Sequence, residues 1–234
     1  MEKVAVPRAV VFDAYGTLFD VYSVGLLAEQ MFPGQGDALS VLWRDKQIEY
    51  TRLTSMSGQY KPFWELTRAG LRFASQRLGL ALDAAGEDRL MNQYRHLSAF
   101  PENHEVLREL KERGVPTAIL SNGDPEMLAV AVKSAGFEPW LDHVLSVHAL
   151  RKYKTDPAVY ALGPQTFGVP ARQILFVSSN GWDAIGATWY GYTTLWVNRH
   201  GLPLEQLDTA PTRTGTSLRD VLSFFPESPP SRKG

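Results

Sequence analysis

The sequence predicts an α/β protein, a parallel sheet core interrupted after its first strand by a helical subdomain. Three observations carry this reading. The run Ala9–Phe12 is apolar without alternation, which suits a strand buried on both faces by covering helices, and further short strand-like runs such as Ile174–Val177 follow. They alternate with longer spans of helical spacing, the pattern of βαβ units. Residues 21–99 show helical periodicity and no convincing strand. At 234 residues the chain can bury a sizeable core. It divides into a core of residues 1–20 and 100–225, an inserted helical segment of 21–99, and a Pro/Ser-rich tail of 226–234 expected to be disordered.

The first strand, 9–12, ends in Asp13. Ligands of open α/β sheets bind just outside the carboxyl ends of the strands, so Asp13 is delivered to a candidate site. Gly16 lets the chain turn sharply, and Thr17 offers a hydroxyl to the carboxylate. Taken alone, Asp13 is equally well read as the cap of a turn. In the insertion, one helix covers 38–53, with Leu39, Leu42, Trp43, Lys46 and Tyr50 on one face. A second starts at Pro62, a favoured first helical residue, and carries Phe63, Leu66, Leu71 and Leu78 up to Gly79. A third spans 87–97.

The core resumes with a helix over 102–113, stopped by Gly114, and a strand over 115–120. That strand opens into Ser121-Asn-Gly-Asp-Pro125, where Asp124 is placed to cap a helix starting at Pro125. The Ser121 hydroxyl and freed N–H groups make an anion site there. A third strand falls at 142–147, and Arg151-Lys-Tyr-Lys-Thr-Asp-Pro157 sets three cations beside a helix start. A fourth strand, 174–177, opens into Ser178-Ser-Asn-Gly-Trp-Asp183. The fifth is Thr193–Val197, followed by a closing connection and a short helix at 217–225.

Composition excludes several classes. A net charge of −1 gives no footprint for nucleic acid or an anionic membrane. The absence of cysteine removes disulfides, thiolate metal sites and a cysteine nucleophile. No apolar run reaches the roughly 18–20 residues needed to span a bilayer, and residues 1–8 lack a signal-peptide core, so a cytoplasmic location is expected.

Phe12-Asp-Ala-Tyr-Gly-Thr-Leu-Phe-Asp20 resembles the nucleophile loop of the haloacid dehalogenase (HAD) superfamily, and more narrowly that of the L-2-haloacid dehalogenases. Leu42-Trp-Arg-Asp-Lys-Gln-Ile-Glu-Tyr50 resembles their cap signature, and Phe176-Val-Ser-Ser-Asn-Gly-Trp-Asp183 their fourth-strand motif. The resemblance implies a Rossmann-like, HAD-like core, a helical cap that excludes water, and Asp13 as covalent nucleophile. Phosphatase relatives carry a general acid two residues after the nucleophile, because an alkoxide needs a proton to leave. Here Tyr15 stands there, which fits halide, an anion that leaves unprotonated.

The same resemblance implies the other roles. Arg44 cradles the departing halide with help from Asn122, and Ser121 with nearby amides holds the substrate carboxylate. Phe63, with Gln47 and Trp64, lines an apolar pocket, although aromatics at helical spacing serve equally as core. Lys154 keeps Asp13 ionised and oriented. It is preferred over Lys152 because Tyr160 follows it by six residues, as in the family's Lys-Pro-Asp-x-x-x-Tyr, and Tyr160 is taken as a further substrate contact. Thr155 departs from that pattern, where proline would bias Lys154 to extended backbone. Ser178 and Asn180 position Asp13 or water, and Trp182 packs on the halide pocket. Asp183 either assists the hydrolytic water or pairs with Lys154, and the general base stays open between these. With serines where phosphatases keep magnesium carboxylates, no metal or other cofactor is expected.

The implied reaction converts a short L-2-haloalkanoic acid to a D-2-hydroxy acid through an aspartyl ester, with water consumed and halide released. A homodimer is expected from the resemblance. Two alternatives stand beside it: a magnesium-dependent phosphatase or phosphonate hydrolase on the same fold, and a catalytically silent binding protein.

Overall fold

The computed structural model describes residues 5–226. Six parallel strands form one sheet in the order β3-β2-β1-β4-β5-β6. The strands are β1 (Ala9–Phe12), β2 (Thr117–Ser121), β3 (His143–Ser146), β4 (Ile174–Ser178), β5 (Thr193–Val197) and β6 (Arg213–Gly215). β1 lies in the middle, and the chain runs outward from it first through β2 and β3, then through β4 to β6. Asp13 therefore leaves the sheet where the strand order reverses, the place where such sheets bind ligands.

Register brings the loops together there. Phe12 pairs with Ile119 of β2 and with Val177 of β4, so the ends of all three strands share one edge. β1, β2 and β4 are buried throughout, in keeping with the apolar runs 9–12, 118–120 and 174–177 that they contain. β2 starts at Thr117 rather than at 115. β6 was not foreseen: its three residues, Arg-Thr-Gly, have no apolar signature, and only backbone pairing with β5 makes them a strand.

The insertion holds α1 (Gly25–Met31), α2 (Gly36–Met56), α3 (Phe63–Arg77) and α4 (Ala84–Arg95). α2 packs mainly on α3, and α1 lies against α2. The buried face of α2 includes Leu39, Trp43, Arg44, Gln47 and Thr51, so its inward stripe is polar in the middle. α4 starts three residues earlier than 87 because the Asp83 carboxylate accepts from Gly86 N–H at 2.7 Å, as an N-cap does. Pro62 is the cap residue of α3, not its first turn.

The return to the core brings α5 (Asn103–Glu112), α6 (Pro125–Ser134), α7 (Pro157–Tyr160), α8 (Leu162–Phe167) and α9 (Gly181–Tyr190), then a 3₁₀ turn, Leu218–Phe224, capped by Ser217. The two chain crossings between core and insertion run side by side: Asp20 N–H donates to Ser98 O at 2.8 Å, and Phe19 bridges Ala99. Among the described residues no helix is long and apolar enough to cross a membrane. Residues 227–234 of the expected disordered tail lie outside the described residues.

Candidate active site

Asp13 follows β1 and is 6% exposed. Its two oxygens are held unequally. Oδ2 accepts from Thr17 Oγ1 at 2.8 Å, Asn180 Nδ2 at 2.8 Å and Ser178 Oγ at 3.4 Å. Oδ1 accepts from the Lys154 ammonium at 2.9 Å. The turn that permits this needs Gly16, whose φ is +95°, a region that costs little only for glycine. A Cβ there would lie 3.4 Å from Asn180 Nδ2, so the loop also passes close to the amide that holds Asp13.

Lys154 is 2% exposed, and its ammonium stands between two carboxylates, with Asp183 Oδ2 at 2.8 Å. Burial pulls the ammonium down, but Asp13 and Asp183 together outweigh it and hold the group above its ordinary lysine value. Burial holds the Asp183 carboxyl above its usual range, against the pull of Lys154. Lys152 instead pairs with Asp156 at 2.8 Å on the surface, so the lysine spaced six residues before Tyr160 is the one that reaches Asp13. The peptide between Lys154 and Thr155 is cis.

The cap supplies the opposite wall. Arg44 Nη2 donates to Tyr15 O at 3.0 Å and Nη1 to Gln47 Oε1 at 2.7 Å. From the core, Asp13, Tyr15, Ser121, Asn122 and Trp182 line a cavity that Arg44, Ile48 and Phe63 close from the cap. The cavity measures about 10 Å³, about the space of one water molecule. Asn122 Oδ1 accepts from Lys154 N–H at 3.0 Å, so the amide NH₂ is the end left to face the cavity. Ser121 Oγ accepts from Gly123 N–H at 3.1 Å. A larger cleft of about 570 Å³ adjoins, and Arg44, Ile48 and Trp182 line both spaces.

Several expectations are corrected. Tyr160 is fully buried and is not a wall of the cavity; its hydroxyl donates to Asp183 Oδ1 at 2.7 Å, so it holds Asp183 rather than substrate. Gln47 is also withdrawn from the pocket lining: its Oε1 accepts from Arg44 and from the Tyr94 hydroxyl at 3.0 Å, while its NH₂ donates to Thr67 at 2.6 Å. Trp64 faces a different cleft, beneath the Arg95 guanidinium. Asp124 makes no side-chain bond to its own helix α6. Both its oxygens accept from the start of α3, as described below.

Three contributors were missed. Ile48 lies one turn beyond Arg44 on α2, a spacing that could have marked it. Tyr94 stacks on Tyr15 with ring centroids 5.8 Å apart, but no motif surrounds it. Arg199 donates to Ser179 Oγ at 2.6 Å and to Thr17 O at 3.3 Å, and pairs with Glu102 at 2.9 Å; nothing near it in sequence announces this. Among the described residues no group of three or more His, Asp or Glu side chains gathers to hold a metal.

A carboxylate at the end of β1, a buried ammonium beside it and a guanidinium across a small cavity frame the comparison with known proteins. The description haloacid dehalogenase-like hydrolase matches residues 7–191. An (S)-2-haloacid dehalogenase of Pseudomonas sp. strain YL is 45% identical over 218 residues, covering 93% of this chain and 94% of that protein. The chain belongs to the L-2-haloacid dehalogenase family. Another L-2-haloacid dehalogenase, known from a crystal structure, shares 62% identity with a TM-score of 0.92, over 94% of this chain and 99% of that one. The L-2-haloacid dehalogenase of Xanthobacter autotrophicus, solved with chloropropionic acid covalently bound, has a TM-score of 0.85 at 36% identity, covering 92% and 96%.

Proposed function

We propose that this chain is a hydrolase of carbon–halogen bonds. It converts short L-2-haloalkanoic acids to D-2-hydroxy acids through an ester on Asp13. The observation that carries the reading is the unequal hold on the Asp13 oxygens. Oδ1, with the single contact to Lys154, keeps a lone pair for attack on C2 from the side opposite the halogen. The new C–O bond forms as the C–halogen bond breaks, its electron pair leaves as halide, and C2 inverts. Arg44 and the Asn122 NH₂ receive that charge where it develops, and the guanidinium never titrates. Ser121, with neighbouring backbone amides, holds the substrate carboxylate, which supplies the alignment that in-line displacement needs.

Oδ2 then becomes the ester carbonyl. Its donors from Thr17, Asn180 and Ser178 are already placed for the oxyanion formed when water attacks that carbon. Asp183, on the far side of the Lys154 ammonium from Asp13, takes the proton from the water. Collapse breaks the bond between that carbon and the substrate oxygen, which takes the proton back from Asp183 and leaves as the hydroxy acid; the second water proton passes to solvent as Asp13 returns to a carboxylate. No metal is needed between the two carboxylates, because the Lys154 ammonium already stands there. Tyr15 supports halide over alkoxide as the leaving group, since burial first and the neighbouring Tyr94 second hold its phenol well above the ordinary value.

Residues 21–99 serve as the cap, hinged at the paired crossings near Asp20 and Ala99. The partners are the haloacid, water and halide. We further propose a homodimer, supported by the exposed apolar Val41, Leu53 and Met56 along α2, since such patches mark interfaces, and a cytoplasmic location.

The test is halide release from each enantiomer of 2-chloropropionate with chelator present. Release from the L form, lost in Asp13→Asn, is the expected result. Turnover of phosphate esters only on adding magnesium would replace this reading with the phosphatase one.

A further inference from the structure

Asp124 does not serve the helix it precedes. Its Oδ1 accepts from Phe63 N–H at 3.0 Å and its Oδ2 from Trp64 N–H at 2.7 Å, across 61 and 60 residues of sequence. These are the first two N–H groups of α3, which has no side-chain cap of its own because Pro62 occupies the cap position. The first N–H groups of a helix lack internal partners, and a carboxylate there is also favoured by the helix dipole. A core residue thus caps a cap-domain helix.

The placement joins two functions in one loop. Ser121 and Asn122 line the cavity from the core, and Phe63 lines it from the cap. Asp124, two residues beyond Asn122, grips the backbone of Phe63 itself. The Phe63 ring meets Tyr15 with centroids 5.6 Å apart, so any withdrawal of the first turn of α3 opens the cavity beside the nucleophile. His148 of the core completes the contact: its Nδ1 lies 3.1 Å from Asp124 Oδ1 and 3.0 Å from the hydroxyl of Tyr60 in the cap.

We propose that Asp124 is a positioning residue that sets how deeply Phe63 enters the cavity, and thereby the size of the alkyl group accepted at C2. This deepens the dehalogenase reading and rests on it. With the clasp intact, the wall stands close to C2 and favours short substrates. With it removed, the wall retreats, the shortest substrates lose alignment, and longer ones gain room.

The experiment compares native chain, Asp124→Asn and Asp124→Ala by two readouts. The first is the ratio of kcat/KM for 2-chloropropionate to that for 2-chlorobutyrate. Asp124→Ala is expected to lower this ratio by about tenfold, the scale of one lost cap. Asp124→Asn, which keeps an acceptor for one N–H, falls between. The second readout is amide hydrogen exchange at residues 63–66, faster in Asp124→Ala while residues 103–112 are unchanged. Unchanged exchange at 63–66 would overturn the clasp. Faster exchange with an unaltered ratio would overturn its role in size selection and leave Asp124 purely structural. A native chain that turns over no 2-haloacid counts against the dehalogenase reading; the exchange readout still decides the clasp.

Discussion

Asp183 shows what a single residue can and cannot reveal. In sequence it is read equally as a base for water and as the partner of Lys154, and the geometry gives it the second bond without removing the first role. Both oxygens are engaged, by Tyr160 at 2.7 Å and Lys154 at 2.8 Å, yet each retains a second lone pair. If Asp183 accepts the proton of the hydrolytic water, Asp183→Asn blocks the second step and spares the first. Mixing the variant with excess L-2-chloropropionate is then expected to release one halide per active site and leave the ester on Asp13, visible as a mass increase on the peptide carrying it. No burst and no modified peptide would show that Asp183 serves attack instead, by orienting Lys154. The motif spacing singled out these residues, but the choice between two bonds for one carboxylate is made by neighbours far away in sequence.

Helix α2 is the element that carries Arg44, the proposed halide contact. A helix surface brings residues three and four apart together, so Arg44, Gln47 and Ile48 form one cluster in the middle of its buried face. Gln47 satisfies three polar neighbours at once: Arg44, Tyr94 and Thr67. Replacing it with leucine keeps the volume and takes the shared acceptor from Arg44 Nη1 and the Tyr94 hydroxyl, at a cost of about 1–3 kcal/mol for each buried group left unpaired, while Thr67 Oγ1 keeps its bond to Phe63 O. Gln47→Leu is expected to lower the melting temperature, and to reduce kcat/KM about tenfold through a loosened Arg44. A stability loss with unchanged kcat/KM would show that Arg44 is held well enough by Tyr15 O. The helix and its signature were legible because hydrophobic spacing and an eight-residue motif, Trp43–Tyr50, coincide there. The role of Gln47 was not, since a buried glutamine is defined by its partners. β6 and the capping of α3 were missed for a related reason: one rests on backbone pairing alone, the other on a carboxylate supplied from the core.

At the scale of the whole molecule, three loops from distant parts of the chain meet at one buried ammonium. Lys154 joins the end of β1, through Asp13, to the start of α9, through Asp183. Breaking a buried pair by removing one partner costs about 3–5 kcal/mol, so Lys154→Met is expected to be destabilised by that order at pH 7, with two carboxylates left facing each other. The sign of each shift sets how this gap changes with pH. Lys154 is raised in the folded state, so its contribution is complete below the ordinary lysine value of about 10.4 and fades as pH climbs through the raised one. Asp183 is also raised: its burial in charged form costs stability at neutral pH, a cost that Lys154 offsets and that protonation removes. The difference between native and Lys154→Met urea midpoints is therefore expected to be largest near neutrality, to shrink as pH falls through the raised Asp183 value, and to shrink again above about 10.4. A gap that stays constant across this range would assign the effect to the lysine stem and its packing near Phe176, whose ring centroid lies 5.1 Å from Nζ, instead of to its charge.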